Sequence, residues 1–191
     1  ALYEGELKHG VPHGTGKHHD QTGNVYQGEF KNGRMDGKGR MVLASGDVLE
    51  GWFKDGLMSG EGVRNTAGGN VFSGMWTEGK LSGIGRMECI SGVQYEGEFA
   101  ESVMHGSGVM TCGPETAADG EELSGFKYDG AMDKGFAEGA GTLQIGQMVY
   151  KGEFQRGKPH GRGSVGELQH GKREGVVRPT AATKYHMGIR S

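Results

Sequence analysis

The sequence predicts an all-β protein, an elongated, rod-like single-layer antiparallel meander of stacked β-hairpins. Three observations carry that prediction. An aromatic or large apolar residue recurs every 23 residues, at Tyr3, Tyr26, Leu49, Phe72 and Tyr95, and returns at Tyr128 and Tyr150. Most of the 40 glycines stand at constant distances from it. Six and seven residues beyond it lies an X-Gly pair: His9-Gly10, Asn32-Gly33, Asp55-Gly56, Glu78-Gly79 and Lys134-Gly135. Such a pair between alternating segments marks a two-residue hairpin turn, in which glycine takes positive φ at little steric cost.

Each element of the repeat can be justified in turn, counting the leading aromatic as position 0. The first strand alternates a large residue at 0 and +4 with a glycine at +2, as in Tyr26, Gly28 and Phe30. A turn at +6 and +7 makes paired positions sum to 13, so +4 is expected to face +9, +2 to face +11, and 0 to face +13. Side chains alternate across a strand, so these six positions share one face. A ring at 0 would then lie over a glycine that offers no side chain. The remaining positions, Gln27, Glu29, Lys31, Arg34, Asp36 and Lys38 in the second repeat, form a solvated face of mixed charge. Connectors such as RMVLASGDV end in Gly-Asp or Gly-Asn, a second turn signal. Strands about 4.8 Å apart would give a rod of roughly 75–80 Å.

The array is expected over residues 1–175, as seven repeats and a degenerate eighth. An acidic insertion at about 113–124 reads as a surface loop, and the tail 176–191 reads as a cap for an open sheet edge. The 40 glycines and 4 prolines approach low-complexity composition, but the net charge of −3 lacks the imbalance typical of disorder. With a pI near 6.3 and no basic run, nucleic acid is excluded as the main partner. Two cysteines make no disulfide framework and suggest a reducing compartment. No signal peptide and no apolar run of membrane-spanning length is present. The chain begins in mid-pattern, as a fragment of a longer protein would.

The segments YEGE, YQGE, LEGW, FSGM, YDGA and YKGE, each followed by glycine at +7 and Gly-x-Gly at +11 to +13, resemble the MORN repeat, Y-x-G-x-[WF]-x-x-G-x-x-x-G-x-G. The resemblance covers residues 3–163 and fades over 164–175. Departures include Leu49 and Phe72 for tyrosine, Ser102 for glycine and Met132 for the aromatic. The chain looks most like repeat-only proteins that scaffold cytoskeletal structures in protozoan parasites. The resemblance implies a slightly twisted β-rod with an aromatic-lined groove, self-association through terminal repeats with zinc in some cases, and contact with phosphoinositides.

Candidate sites follow. The groove or core aromatics are Tyr3, Tyr26, Phe30, Phe53, Phe72, Trp76, Tyr95, Phe99 and Tyr128; mutual packing is the favoured reading and a lipid or peptide groove the alternative. Arg34, Lys38 and Arg40 form the best small basic cluster for acidic phospholipids. Cys89, Cys112 and His105 are the residues that could contribute to a zinc site, which needs four ligands; no paired-ligand spacing is present, and solvent-facing histidines are the plainer reading. GRGSVG at 161–166 matches a dinucleotide fingerprint only in letters, because its glycines belong to the repeat and no helix follows. Nothing suggests catalysis, and no cofactor is expected apart from that zinc. The expected function is a non-enzymatic scaffold, a homodimer with contacts at Tyr150, Phe154 and His160, working with cytoskeletal proteins. It would be cytoplasmic and cytoskeleton-associated, or at the inner face of a membrane. The alternatives are a phospholipid-binding module and a regulatory segment of a larger enzyme.

Overall fold

The hairpin turns form where the X-Gly pairs stand. Asn32 and Gly33 have φ of 51° and 83°, and His9-Gly10, Asp55-Gly56, Glu78-Gly79, Lys134-Gly135 and Arg156-Gly157 are likewise positive at both positions. This is the turn whose twist matches that of the flanking strands. The Glu101-Ser102 turn adopts the same conformation without a glycine, at 54° and 66°. The computed structural model of the chain describes residues 1–116, 122–123, 125–167 and 174–175. The tail from 176 and the centre of the insertion, 117–121, lie outside the described residues.

The chain divides into two units at Ile90/Ser91. The first holds β1 (Leu2–Lys8), β2 (Val11–His19), β3 (Val25–Lys31), β4 (Arg34–Val42), β5 (Val48–Lys54), β6 (Leu57–Asn65), β7 (Val71–Thr77) and β8 (Lys80–Glu88). Each strand pairs antiparallel with the next. The second holds β9 (Val93–Ala100), β10 (Val103–Cys112), β11 (Glu115–Thr116), β12 (Glu122–Leu123), β13 (Phe126–Asp133), β14 (Phe136–Ile145), β15 (Met148–Gln155), β16 (Lys158–Glu167) and β17 (Glu174–Gly175). Here β10 pairs directly with β13, while β11 and β12 form a ribbon of their own. The insertion is thus extruded between two strands and leaves the meander intact. No helix occurs among the described residues.

The register differs from the one a simple hairpin predicts. Phe30 faces Met35 as expected, but Gly28 faces Gly39 rather than Gly37, and Tyr26 faces Met41 rather than Gly39. Between these pairs the three residues Asp36, Gly37 and Lys38 stand against the single residue Glu29, a large bulge. The same shift recurs in β5–β6, β7–β8, β9–β10 and β13–β14. As a result the glycines at +2 and +13 pair with each other on both sides of every inner strand of each unit. Gly5, Gly16, Gly28, Gly39, Gly51, Gly62, Gly74 and Gly85 make one unbroken row across the first unit. Gly97, Gly108, Gly130, Gly141, Gly152 and Gly163 make another in the second. A Cβ added at Gly28 would lie 2.5 Å from the Gly39 Cα, so the two backbones approach as only glycine allows.

Gly37 therefore leaves the aromatic face to which the simple register assigned it. Its φ is 117°, and a Cβ there would meet the Glu29 side chain. The aromatic at position 0 does cover the +13 glycine, but diagonally: a Cβ on Gly39 would strike the Tyr26 ring. One face of each unit is thereby filled by its own rings and methionines. Tyr26 is 2% exposed and Tyr128 0%, and Phe53, Met58, Leu81, Tyr95, Phe99 and Met110 are equally buried.

The left-handed conformation at Ser102 costs an L-residue roughly 1 kcal/mol that glycine avoids. Ser102→Gly is expected to raise the unfolding free energy by about 1 kcal/mol, measured by urea titration; a loss of stability would show that the serine side chain holds this turn together.

Candidate functional site

The aromatic column is built by contacts within and between repeats. Tyr26 meets Phe30 of its own hairpin and Phe53 of the next edge to face, with centroids 5.2 and 5.0 Å apart, and Tyr3 meets Phe30 at 5.1 Å. In the second unit Phe154 lies between Tyr128 (4.9 Å) and Tyr150 (5.3 Å), and Tyr95 pairs with Phe99 at 5.3 Å. Edge-to-face rings at this spacing are mutually attractive beyond the area they bury. Phe53, Trp76, Phe99 and Tyr128 are buried, while Phe72 and Tyr3 are partly exposed. Packing is therefore what these rings do, and the column presents little surface to a lipid or peptide.

Each tyrosine also closes the bulge it stands beside. The hydroxyls of Tyr3, Tyr26, Tyr95, Tyr128 and Tyr150 donate to the carbonyls of Glu6 (2.8 Å), Glu29 (3.1 Å), Glu98 (3.1 Å), Ala131 (2.7 Å) and Glu153 (3.1 Å), always three residues on. The glutamate at +3 then closes the other strand. Glu6 accepts the backbone N–H of Thr15 at 2.9 Å, Glu29 that of Lys38 at 3.2 Å, and Glu98 that of Ser107 at 2.9 Å. A three-against-one bulge disrupts the ladder, and the Tyr/Glu pair supplies hydrogen bonds within it. Burial, the larger cause, together with the neighbouring carboxylates, pushes the phenols of Tyr26, Tyr95 and Tyr128 up to about 12.

The hairpin connectors carry a second ladder, not anticipated from the sequence. Asn24 Oδ1 accepts the N–H of Ala44 (2.9 Å), Asp47 Oδ1 that of Ala67 (3.0 Å), and Asn70 Oδ1 that of Ile90 (3.1 Å). Asp47 also takes both Nε and Nη2 of Arg64, at 3.0 and 2.6 Å. The backbone N–H of Ala67 first, and Arg64 second, hold its carboxyl below the ordinary carboxylate range. The signal was present: Asn, Asp and Asn stand before Val25, Val48 and Val71 at the 23-residue period. At the opposite end the turn glycines Gly33, Gly56 and Gly79 donate to the carbonyls of Pro12, Met35 and Met58 one repeat back, at 2.9, 2.9 and 2.8 Å.

The third and fourth hairpins depart from this scheme together. Leu49 and Phe72 replace tyrosine, and Trp52 and Met75 replace the bulge glutamate. Trp76 compensates on the buried face, where its indole N–H donates to the Gly62 carbonyl at 2.9 Å. On the charged face Trp52, Met75 and Ile84 are left 43%, 54% and 66% exposed. Trp52 borders a shallow cavity of about 430 Å³, floored by Gly39, Gly51, Gly62 and Gly74. The Lys38 ammonium lies 5.2 Å from the centre of its ring.

The other expected sites fare differently. Arg34 pairs with Asp55 (2.9 Å), Arg40 pairs with Glu50 (2.6 Å), and Lys38 faces Trp52, so every member of the basic cluster already has a neighbour. Tyr150 and Phe154 are 6% and 2% exposed. Their rings are spent inside their own sheet and are closed to a second chain, which leaves exposed His160 as the one accessible member of that trio. Cys89 belongs to the first unit and Cys112 and His105 to the second. Neither cysteine is in a disulfide and both are half-buried, burial pushes the Cys89 thiol up, and His105 Nδ1 lies 3.2 Å from Asp133 Oδ1. Among the described residues no three His, Cys, Asp or Glu side chains gather as metal ligands.

A sheet assembled from hairpins that bury their rings only against neighbouring hairpins, with glycine rows and bonded connectors between them, defines a β-hairpin repeat protein. The profile of the MORN repeat matches residues 3–25, 26–48, 50–71, 72–94, 95–114 and 150–164, and the chain belongs to the MORN repeat family. No curated protein matches it significantly. The hairpin β13–β14 falls outside the matched segments although Tyr128, Gly130 and Gly141 occupy the usual places. Its Ala131 and Met132 replace the glutamate and the aromatic.

Removing the hydroxyl in Tyr26→Phe leaves the Glu29 carbonyl without that donor and is expected to cost about 1 kcal/mol, read from chemical denaturation; an unchanged midpoint would mean the bulge is held by its other bonds. The raised phenols set an alkaline limit. The unfolded chain releases their protons near pH 10 and the folded chain only near 12, so stability present below pH 10 is lost as pH rises toward 12. Absorbance at 295 nm followed with far-ultraviolet dichroism should show these phenols ionising together with unfolding; ionisation near pH 10 in the intact fold would contradict it.

Proposed function

We propose that this chain is a non-enzymatic interaction scaffold that self-associates within a cytoskeletal or membrane-associated assembly. MORN repeats are interaction or membrane-association modules, and self-association is one form such an interaction takes. The observation that carries it is how the side chains are used. The rings, glycines, bulge glutamates and connector amides hold strand to strand, and part of the apolar surface left exposed, Trp52, Met75 and Ile84, lies on the charged face, while Leu2, Leu7, Leu57 and Ile90 are exposed elsewhere. Exposed apolar groups clustered among polar ones mark protein or membrane contact. A protein partner is favoured over a lipid surface because Arg34 and Arg40 already face acids and Lys38 faces a ring. No helix among the described residues is long and apolar enough to cross a membrane.

Sedimentation equilibrium is expected to show a reversible, concentration-dependent dimer, and co-sedimentation with acidic vesicles at physiological salt is expected to recover little of the chain. A monomer at every accessible concentration, or salt-resistant vesicle binding, would overturn the reading in favour of a membrane module.

A further inference from the structure

The apolar patch of the third and fourth hairpins has a symmetry that no single repeat possesses. We infer that the charged face of β5–β8 is the self-association surface, and that it meets the same face of a second copy across a two-fold axis running along the strands between β6 and β7. This rests on the self-association proposed above and assigns it a surface.

The argument starts from the rows that cross the strands. One row on this face reads Trp52, Glu61, Met75 and Ile84 on β5, β6, β7 and β8, with Glu61 directly opposite Met75. Elsewhere the bulge position carries Glu6, Glu29, Glu98 or Glu153, or the small Ala131. Only these two neighbouring hairpins among the described ones place a large apolar residue there, and the second adds Ile84 on the returning strand. The adjacent row reads Glu50, Val63, Ser73 and Arg86, with Glu50 opposite Val63 and Ser73 opposite Arg86.

An isologous contact requires a patch to complement itself under rotation. The axis between β6 and β7 exchanges β5 with β8 and β6 with β7. Trp52 then meets the partner's Ile84, and Met75 meets the partner's Glu61 along its methylenes. Glu50 meets the partner's Arg86. The glycine-floored cavity beside Trp52 gives the partner's Ile84 room to enter. One apolar pair, Trp52 with Ile84, and one acid–base pair, Glu50 with Arg86, thus form twice over by symmetry, with Met75 against Glu61 and Val63 against Ser73 between them. An axis along β6 instead would set Glu61 against the partner's Glu61. The ion pairs that must rearrange, Arg40 with Glu50 and Arg86 with Glu88, are half-exposed and of the kind that contributes little where it stands. Four strands about 4.8 Å apart offer a small contact by the standard of stable complexes, so the dimer is weak and reversible.

The test is sedimentation equilibrium over a roughly hundredfold concentration range on the full chain, with thermal melts to confirm folding. The variants are Trp52→Glu, Glu50→Arg, Arg86→Glu and the double charge swap. Trp52→Glu is expected to raise the dimer dissociation constant at least about tenfold. Each charge reversal alone is expected to weaken the dimer, and the double swap to restore it, because the restored pairs form only between copies. Undiminished association of folded Trp52→Glu, or a double swap no tighter than the single reversals, overturns this surface while leaving self-association in place. A wild-type chain that stays monomeric removes both.

Discussion

The close approach of backbones along the glycine rows is the constraint on which the rest of the molecule depends. A sheet one layer thick has no second sheet or helix to cover its apolar face. It can bury rings only by laying them on its own backbone. Gly28 and Gly39, and the pairs that repeat them, clear that ground, and a tyrosine lies diagonally across each rung. The burial of Tyr26, Tyr95 and Tyr128 is therefore achieved by leaving side chains out rather than by adding a layer.

That arrangement has a geometrical consequence. For the ring to lie across the rung, the returning strand must carry extra residues against the bulge position, and those residues break the ladder. Tyrosine answers this where phenylalanine cannot, because its hydroxyl donates to the +3 carbonyl while its ring does the burying. The glutamate at +3 completes the closure from the other side. Tyr128 keeps its bond beside Ala131, but at Tyr3, Tyr26 and Tyr95 Tyr and Glu act together, and the third and fourth hairpins lose both, Trp76 supplying a buried donor in the fourth. Their freedom from the Glu requirement is what lets Trp52 and Met75 occupy the charged face.

Stability in such an array passes from neighbour to neighbour. Three kinds of contact join the second hairpin to the third and its connector to the next: the shared ring, where Tyr26 touches Phe53; the turn amide, from Gly56 to Met35; and the connector side chain, from Asp47 to Ala67. They lie at the middle and both ends of the strands, so a hairpin is held along its whole length. This leaves the charged face free to vary without loss of the fold.

Much of this could be read from the sequence. The 23-residue period, the X-Gly turns and the alternation of Tyr26, Gly28 and Phe30 determined an all-β meander, its strand count per repeat and which face its rings share, because turn chemistry and strand alternation are local. The two-residue turn was legible for the same reason; that Tyr3 and Phe72 stay partly exposed on that face was not. Register beyond the bulge was not: Gly37 and Gly39 look equivalent in a list of columns, and only the partner strand shows that one sits at positive φ against Glu29 while the other lies beneath Tyr26. The bonds from Asn24, Asp47 and Asn70 join residues 20 apart, so their role needed the connectors placed side by side. That Tyr150 and Phe154 are closed to a second chain, and that Trp52, Met75 and Ile84 share an open face, depends on which strands lie beside which. Tertiary structure alone decided that, since burial is a property of neighbours and not of residue type.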